Sequence, residues 1–298
     1  MRRRFFTLDV FTTQRFAGNP LAVVLEPAGL DDAAMQSIAR EYNLPETVFV
    51  FPPDDPKHRA RLRIFTPARE LPFAGHPTVG TAVLLAHLDG GSQPRDLILG
   101  EKVGPVVCRA QLGKGGGSAR FDIPRMPERT GDVDDVTKVA ATLSLKPSDL
   151  SFEKFVPEHW SAGNAFTFVP IKGLDAMARA RPDMANWPRA FADDGPTGAY
   201  LYCREVVDPS VAFHTRMFAP KMGITEDPAT GSAAATFAGV LAASGQYVDG
   251  EHAVTLEQGV EMGRPSLIRL TINMRGGKLA SAAVGGDAVL VSEGTIEA

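Results

Sequence analysis

Cysteine is nearly absent: Cys108 and Cys203 are the only two in 298 residues. Both lie in apolar, strand-like segments and form no CxxC pair. That argues against a disulfide framework and points to buried free thiols in a reducing cytoplasm. Histidine is scarce as well. None of His58, His76, His87, His159, His214 and His252 falls in an HExxH or other metal-ligand spacing, so no metal is expected. No run approaches the ~18 apolar residues of a membrane span. The opening Met1-Arg2-Arg3-Arg4 has the charge of a signal-peptide start, but Phe5 to Phe11 carries Asp9 and no long apolar core, so it reads as a first strand. Charge of one sign is also missing. A formal net charge of -4 gives no electrostatic case for nucleic acid or an anionic membrane. Gly113 to Ser118 (GKGGGS) lacks the spacing and following helix of a P-loop and reads as a hairpin turn. What remains is a soluble, enzyme-like composition, long enough for two domains of roughly 150 residues.

What the chain does contain is the same message twice. Arg63-Ile64-Phe65-Thr66-Pro67 leads to His76-Pro77-Thr78-Val79-Gly80-Thr81-Ala82, and Arg216-Met217-Phe218-Ala219-Pro220 leads to Asp227-Pro228-Ala229-Thr230-Gly231-Ser232-Ala233. The register is 153 at the first element (216 minus 63) and 151 at the second (231 minus 80). Ala17-Gly18-Asn19 is answered by Ala162-Gly163-Asn164 at a register of 145 (162 minus 17). Three matches in one order indicate two copies of a folding unit. The copies differ where chemistry would sit, with His76 answered by Asp227, so a site built between them would hold two different polar groups.

Leu30 to Leu44 has Met35, Ile38, Ala39 and Tyr42 at helical spacing behind Asp31 and Asp32, which predicts an amphipathic helix. Strands are expected at Thr47–Phe51, Arg59–Phe65, Leu97–Gln111 and Ala119–Ile123, then at Ala165–Ile171, Gly198–Val206 and Val211–Phe218. Ala253–Glu257, Leu267–Met274 and Leu279–Val291 complete the set. Thr78–Leu88 and Ala229–Ser244 are too long and Ala-rich for strands and too apolar all round for surface helices. They predict helices buried on every side, with Pro77 and Pro228 near the first turn. Pro124 to Asp135 is Pro-, Gly- and charge-rich, as a linker would be. The expected fold class is α+β: a curved, mainly antiparallel sheet around one apolar helix, made twice.

Each repeated loop leads into a buried helix whose first N–H groups favour a carboxylate or phosphate. Gly75 in one copy, and Gly231 and Ser232 in the other, would let a small anionic ligand approach; the alternative is tight helix packing. His76 alone reads as a structural histidine, and its mirrored place raises it to a catalytic candidate. Asp227 alone reads as a helix N-cap. Glu46 follows Leu44-Pro45 at a helix-to-strand junction. It is either an exposed loop glutamate or a carboxylate entering an apolar strand, where desolvation would raise its pKa towards a useful acid–base range.

Phe16-Ala17-Gly18-Asn19-Pro20-Leu21-Ala22-Val23-Val24, Pro45-Glu46-Thr47-Val48-Phe49, Arg63-x-Phe65-Thr66-Pro67, Phe73-Ala74-Gly75-His76-Pro77-Thr78-x-Gly80 and the Asp227 to Ala233 segment together closely resemble the phenazine-biosynthesis PhzF-like family. Gln258-Gly259 and Met262 to Ser266 continue the match over almost the whole chain. The resemblance implies the diaminopimelate-epimerase-like fold, two pseudo-symmetric barrel-like halves with the site between them. The halves are expected at 1–127 and 128–298, the strand at about 282–298 returning to complete the first. Epimerases of that fold that use two thiols place one cysteine in each loop. Here Gly75-His76 and Asp227 stand at those places, which rules that mechanism out. By resemblance Glu46 is the general acid–base, His76 and Asp227 assist it, and Gly75, Gly231 and Ser232 contact substrate. The family's reaction moves a proton within trans-2,3-dihydro-3-hydroxyanthranilate, for which one glutamate suffices without cofactor, metal or covalent intermediate. The alternatives are racemisation or epimerisation of an amino or hydroxy acid, and metabolite binding without turnover. A homodimer is implied by the resemblance alone.

Overall fold

The structure, a computed structural model, describes residues 1–91, 93–113, 115–191, 195–220 and 223–298. The chain forms two compact units, Met1–Pro124 with Val284–Ala298, and Arg125–Ala283. In the first half of the chain the elements are β1 (Arg2–Val10), β2 (Asn19–Leu25), α1 (Asp32–Tyr42), β3 (Glu46–Phe51), β4 (Ala60–Phe65), β5 (Glu70–Leu71), α2 (Gly75–Asp89), β6 (Arg95–Glu101), β7 (Gly104–Gly113) and β8 (Gly116–Asp122). There follow β9 (Glu128–Asp132), α3 (Val136–Thr142), β10 (Glu158–Ser161), β11 (Ala165–Pro170), α4 (Leu174–Arg179), α5 (Trp187–Ala190), β12 (Gly198–Cys203) and β13 (Phe213–Ala219). The last are β14 (Ile224–Asp227), α6 (Gly231–Ala243), β15 (Gly250–Gln258), β16 (Ser266–Arg275) and β17 (Lys278–Glu297).

The first unit is a closed barrel. Its strands run β1-β2-β3-β4-β6-β7-β8, and β17 joins the two ends by pairing with β8 and β1. The second unit repeats the order as β10-β11-β12-β13-β15-β16, with β9 beside β10. Most pairings are antiparallel, but among the described residues two in each unit are parallel: β2 with β3 and β4 with β6, then β11 with β12 and β13 with β15. A parallel pair needs a crossover, and the composition of the crossover decides where it goes. The helix α1 buries Met35 and Ala39 against Val24, Phe49 and Phe65 and leaves its polar face outside. Asp31 caps it, accepting the Ala34 N–H at 2.8 Å.

The second crossover of each unit has no polar face to leave outside, so it passes through the middle. In α2 every residue from Gly75 to Ala86 is buried. The helix packs on β1, β2, β3, β6, β7 and β8, strands drawn from around the whole barrel. In α6 the residues from Gly231 to Leu241 are buried except Ser232, and the helix packs on β9, β10, β11 and β16. A helix hydrophobic all round is stable only when surrounded.

Three local expectations need correction. The run Leu97–Gln111 is two strands of a hairpin, turned at residues 102–103. The stretch Pro124–Asp135 is not all linker, because Glu128–Asp132 pairs with β10 as β9. Its side chains are mostly exposed, so it carries none of the apolar alternation that marks a strand. Pro228 lies ahead of α6, whose N-cap is Thr230, whereas Pro77 is in the first turn of α2. The expected turn in GKGGGS joins β7 to β8 with Gly113 opposite Gly116; Lys114 lies outside the described residues. Both cysteines are free and buried. Among the described residues no helix is long and apolar enough to cross a membrane.

Candidate active site

In the first unit Glu46 and His76 meet. Glu46 opens β3, directly after the turn that ends α1, and parallel pairing sets it beside Leu21 of β2. His76 is the second residue of α2. Its Nε2 lies 3.3 Å from Glu46 Oε2, and the two are 4% and 7% exposed. The imidazole is also hydrogen-bonded to the Pro20 backbone, on its other nitrogen. Proline has no N–H, so the ring donates to its carbonyl. With Nε2 turned to Glu46, the donor is Nδ1. The neutral tautomer then points a lone pair at the carboxyl group. At this distance a proton on Glu46 would serve both atoms, as a carboxylic acid beside neutral imidazole. Burial drives the imidazole down to about 3, against the hydrogen bond to Pro20, so the ring is neutral.

The Ala17-Gly18-Asn19 motif explains itself here. Gly18 has φ +64°, and a Cβ on it would stand 2.3 Å from the Val10 carbonyl oxygen, so the turn into Asn19-Pro20 demands glycine. Buried Asp9 accepts the Phe16 N–H at 2.6 Å and fixes the start of the same turn. The motif therefore presents the Pro20 carbonyl that orients His76.

In the second unit Asp227 ends β14 and is half-buried, one turn ahead of Gly231 and Ser232 at the start of α6. It is not the helix cap. Thr230 holds that position, and its hydroxyl donates to Asp227 Oδ2 at 2.6 Å. Gln258 braces the loop at three points. Its Nε2 donates to the Asp227 carbonyl at 2.7 Å and to Thr230 Oγ1 at 3.0 Å, and its Oε1 accepts the Thr230 N–H at 3.1 Å. Helix geometry leaves the N–H groups of Gly75 and His76, and of Gly231 and Ser232, without intrahelical acceptors. The structure thus brings Glu46, His76 and Gly75 together in the first unit, and Asp227, Gly231 and Ser232 together in the second.

The repeated arginine has a role that its recurrence hinted at. Arg63 grips Glu70 of β5 through Nε and Nη2 at 2.7 and 2.8 Å and reaches Asp32 of α1 at 2.7 Å. Arg216 grips Glu226 of β14 in the same two-pronged way, both at 2.8 Å, and also donates to the carbonyls of Met177 and Ala180 at the end of α4. In each unit one guanidinium ties the outer helix to the short strand that leads into the central helix. Both cations lie over the phenylalanine two residues on, Phe65 and Phe218. Glu226 is therefore not a solvent-facing neighbour of Asp227 but its anchor.

Sequence reading missed one further cluster. His214 sits between Glu257 and Glu261, with Nδ1 and Nε2 at 2.7 and 2.9 Å from their carboxylates. Burial opposes its charge, but the two carboxylates prevail and lift it to about 9. Its sequence signal is only a histidine two residues before the repeated arginine. Among the described residues no group of three His, Cys, Asp or Glu side chains is arranged to hold a metal ion.

Comparison with known proteins gives these features a setting. The sequence model of the family described as phenazine biosynthesis-like protein matches residues 8–294. A Mesorhizobium japonicum protein named an uncharacterized isomerase is 49% identical over 302 residues, covering 99% of this chain and 98% of its own. The trans-2,3-dihydro-3-hydroxyanthranilate isomerase of Pseudomonas fluorescens is 35% identical over 294 residues, covering 98% of each chain. The crystal structure of the Bacillus anthracis PhzF-family phenazine biosynthesis protein superposes with a TM-score of 0.87 at 27% identity, over 100% of both chains.

Proposed function

The chain belongs to the phenazine biosynthesis-like family, and from that premise we propose that it is an isomerase that moves a proton within a small carboxylate metabolite of the trans-2,3-dihydro-3-hydroxyanthranilate type. The observation that carries the reading is the buried Glu46–His76 contact at 3.3 Å. Such a reaction takes a proton from one carbon and returns it to another, with the double bond shifting between. A base that keeps the proton while the carbon frame rearranges must be shielded from water and must hold either protonation state. Glu46 meets both needs: it is buried, and as the carboxylate it takes the proton from the first carbon. The neutral His76 ring beside it accepts a hydrogen bond from the resulting acid, and the carboxylate re-forms when that proton passes to the second carbon. The proton balance closes on one residue, so the proposed chemistry calls for no cofactor, metal or covalent intermediate.

Asp227 is the second assisting group of the proposal, suited to orient a substrate amine or hydroxyl. The leading turns of α2 and α6, with Gly75, Gly231 and Ser232, are the proposed contacts for the substrate carboxylate and for charge that moves in the transition state. The isomerase name carried by the Pseudomonas fluorescens relative supports the substrate class.

The test is deuterium incorporation followed by NMR, with the protein in D2O and trans-2,3-dihydro-3-hydroxyanthranilate beside a panel of small amino and hydroxy acids. Label gain with a shifted double bond is expected for the wild type. For Glu46→Gln a loss of 10²- to 10⁴-fold is expected, the range for removing general acid–base catalysis. A fully active Glu46→Gln protein would remove Glu46 from the role. Label at a stereocentre with inversion would make the enzyme a racemase or epimerase, and binding without exchange would make it a metabolite-binding protein.

A further inference from the structure

Behind the leading turn of α2 stands an acidic residue that the proposed reaction leaves unused. Glu101, the last residue of β6, is 8% exposed, and its Oε1 lies 2.8 Å from Thr78 Oγ1. The same hydroxyl oxygen lies 2.7 Å from the carbonyl of Ala74, the N-cap of α2. A threonine hydroxyl has one proton, and a carbonyl can only accept. If Thr78 donates to Ala74, the contact with Glu101 is a hydrogen bond only when Glu101 donates, which requires the carboxylic acid. Among the described residues Thr78 is the sole hydrogen-bond partner of this side chain, Oε2 having none. An ionised carboxylate with so little compensation would be costly to bury.

At the corresponding strand position the second half of the chain has a side chain that is neutral by constitution, and it too reaches a threonine hydroxyl, although Thr230 is the N-cap of α6 and Thr78 the fourth residue of α2. In the first half β4 and β6 pair with Ala60 opposite Leu99 and Arg61 opposite Gly100. In the second, β13 and β15 pair with Phe213 opposite Leu256 and His214 opposite Glu257. The offsets are 153 on one strand (213 minus 60) and 157 on the other (256 minus 99). An offset of 157 sets Glu101 against Gln258. Gln258 donates to Thr230 Oγ1, which donates onward to Asp227. In both halves the residue at this strand position is hydrogen-bonded to a threonine hydroxyl, and the threonine donates to the turn that leads into the central helix.

We propose that Glu101 is a positioning residue that works as a protonated, amide-like group, holding through Thr78 the turn that presents Gly75 and His76. The functional importance of that turn rests on the Glu46–His76 reading above. Desolvation raises the Glu101 carboxyl to about 8, against the Thr78 hydrogen bond, so the acid form prevails at neutral pH. The charged groups that share its surroundings are largely occupied with one another. Arg63 pairs with Glu70 and Asp32, and Arg61 with Asp54. Lys102 lies 4.0 Å from Glu70, and Asp55 and His58 complete the wall of the cavity that Glu101 borders. On β7 the Cys108 thiol is pushed up by burial first, then by Glu101 and Asp122, and so stays neutral beside it. From α2 the titratable group in the leading turn is His76, which burial keeps neutral. Ionisation of Glu101 would turn the Thr78 proton from Ala74 towards the carboxylate and loosen the N-cap.

The experiment uses the full chain as wild type, Glu101→Gln, Glu101→Ala and Thr78→Val, titrated from acid to alkaline pH. Infrared difference spectra are expected to show a buried protonated-carboxyl band in the wild type that disappears near pH 8 and is missing in Glu101→Gln. The ¹⁵N resonances of the His76 ring should shift with the same midpoint in the wild type and stay flat in Glu101→Gln. Turnover should fall with that midpoint in the wild type, whereas Glu101→Gln should keep neutral-pH turnover and lose the alkaline limb. Glu101→Ala and Thr78→Val should lose roughly tenfold to a hundredfold in kcat, as a slightly misplaced group does. A carboxylate already ionised at neutral pH, or a His76 response that persists unchanged in Glu101→Gln, would overturn the proposal. If trans-2,3-dihydro-3-hydroxyanthranilate is not turned over, the substrate reading fails, and the infrared and His76 titrations still decide the role of Glu101.

Discussion

At the scale of single residues, burial and partner geometry do more to set chemistry than residue type. His76 and His214 are both buried histidines, yet one is held neutral and the other charged. His76 donates to a carbonyl and offers a lone pair to Glu46, and desolvation takes it down to about 3. The unfolded chain protonates this imidazole near 6.5, the folded protein only near 3, so its contribution to stability is present above 6.5 and is lost as pH falls towards 3. His76→Asn keeps a donor for Pro20 and has nothing to titrate. Urea unfolding across that window should show the wild type losing several kcal/mol more than the variant. Equal slopes would mean that His76 is charged in the folded protein. Arg216 is the opposite case, a buried cation that gives four hydrogen bonds. Arg216→Met leaves the half-buried Glu226 and the carbonyls of Met177 and Ala180 without their partner and should cost about 3 kcal/mol in denaturant unfolding, the low end for breaking a buried pair. Arg216→Lys should recover little of it, because an ammonium cannot reproduce the two-pronged grip.

At the scale of elements, the sequence showed plainly those segments whose pattern follows from local burial. The amphipathic α1 and the wholly apolar α2 and α6 were legible, as were the alternating strands. The polar strand β9 was not, since a mostly exposed strand has no alternation to read. Nor were the pairings of Glu101 with Thr78 and Gln258 with Thr230, which join residues 23 and 28 positions apart through a helix and a strand. The Glu46–His76 contact was legible as a pair of motifs but not as a distance. Gly80 illustrates how tightly a central helix is enclosed. A Cβ there would stand 2.7 Å from both Leu21 Cδ2 and Val10 Cγ2. Alanine would gain about 1 kcal/mol of helix propensity, while overpacking typically costs 1–3 kcal/mol. Gly80→Ala should therefore lower the thermal midpoint modestly, and a raised midpoint would show that Leu21 and Val10 yield without strain.

At the scale of the whole molecule, the first unit is discontinuous in sequence, and that has a kinetic consequence. Its barrel closes only when β17 pairs with β1 on one side and β8 on the other, in a register that sets Arg2 opposite Glu297. No local pattern could have shown this, because the alternation in β17 says that it is a strand and not which strands it joins. Without residues 284–298, β1 and β8 are left with unpaired edges around a core helix that has no polar face. Unpaired edges of that kind invite aggregation, and contacts nearly 300 residues apart carry the closure entropy that makes folding slow. The second unit, Arg125–Ala283, is continuous in sequence and does not wait for the last strand. Arrested nascent chains whose sequence runs to Ala283 and then into a tether long enough to clear the ribosome should therefore show protease protection over residues 125–283 while residues 1–124 are digested. Chains extended through Ala298, with a tether long enough to clear the ribosome, should protect both. Protection of residues 1–124 in the shorter chains would show that α2 and the other seven barrel strands hold together with the barrel open, and would move the folding nucleus of the first unit away from its closing strand.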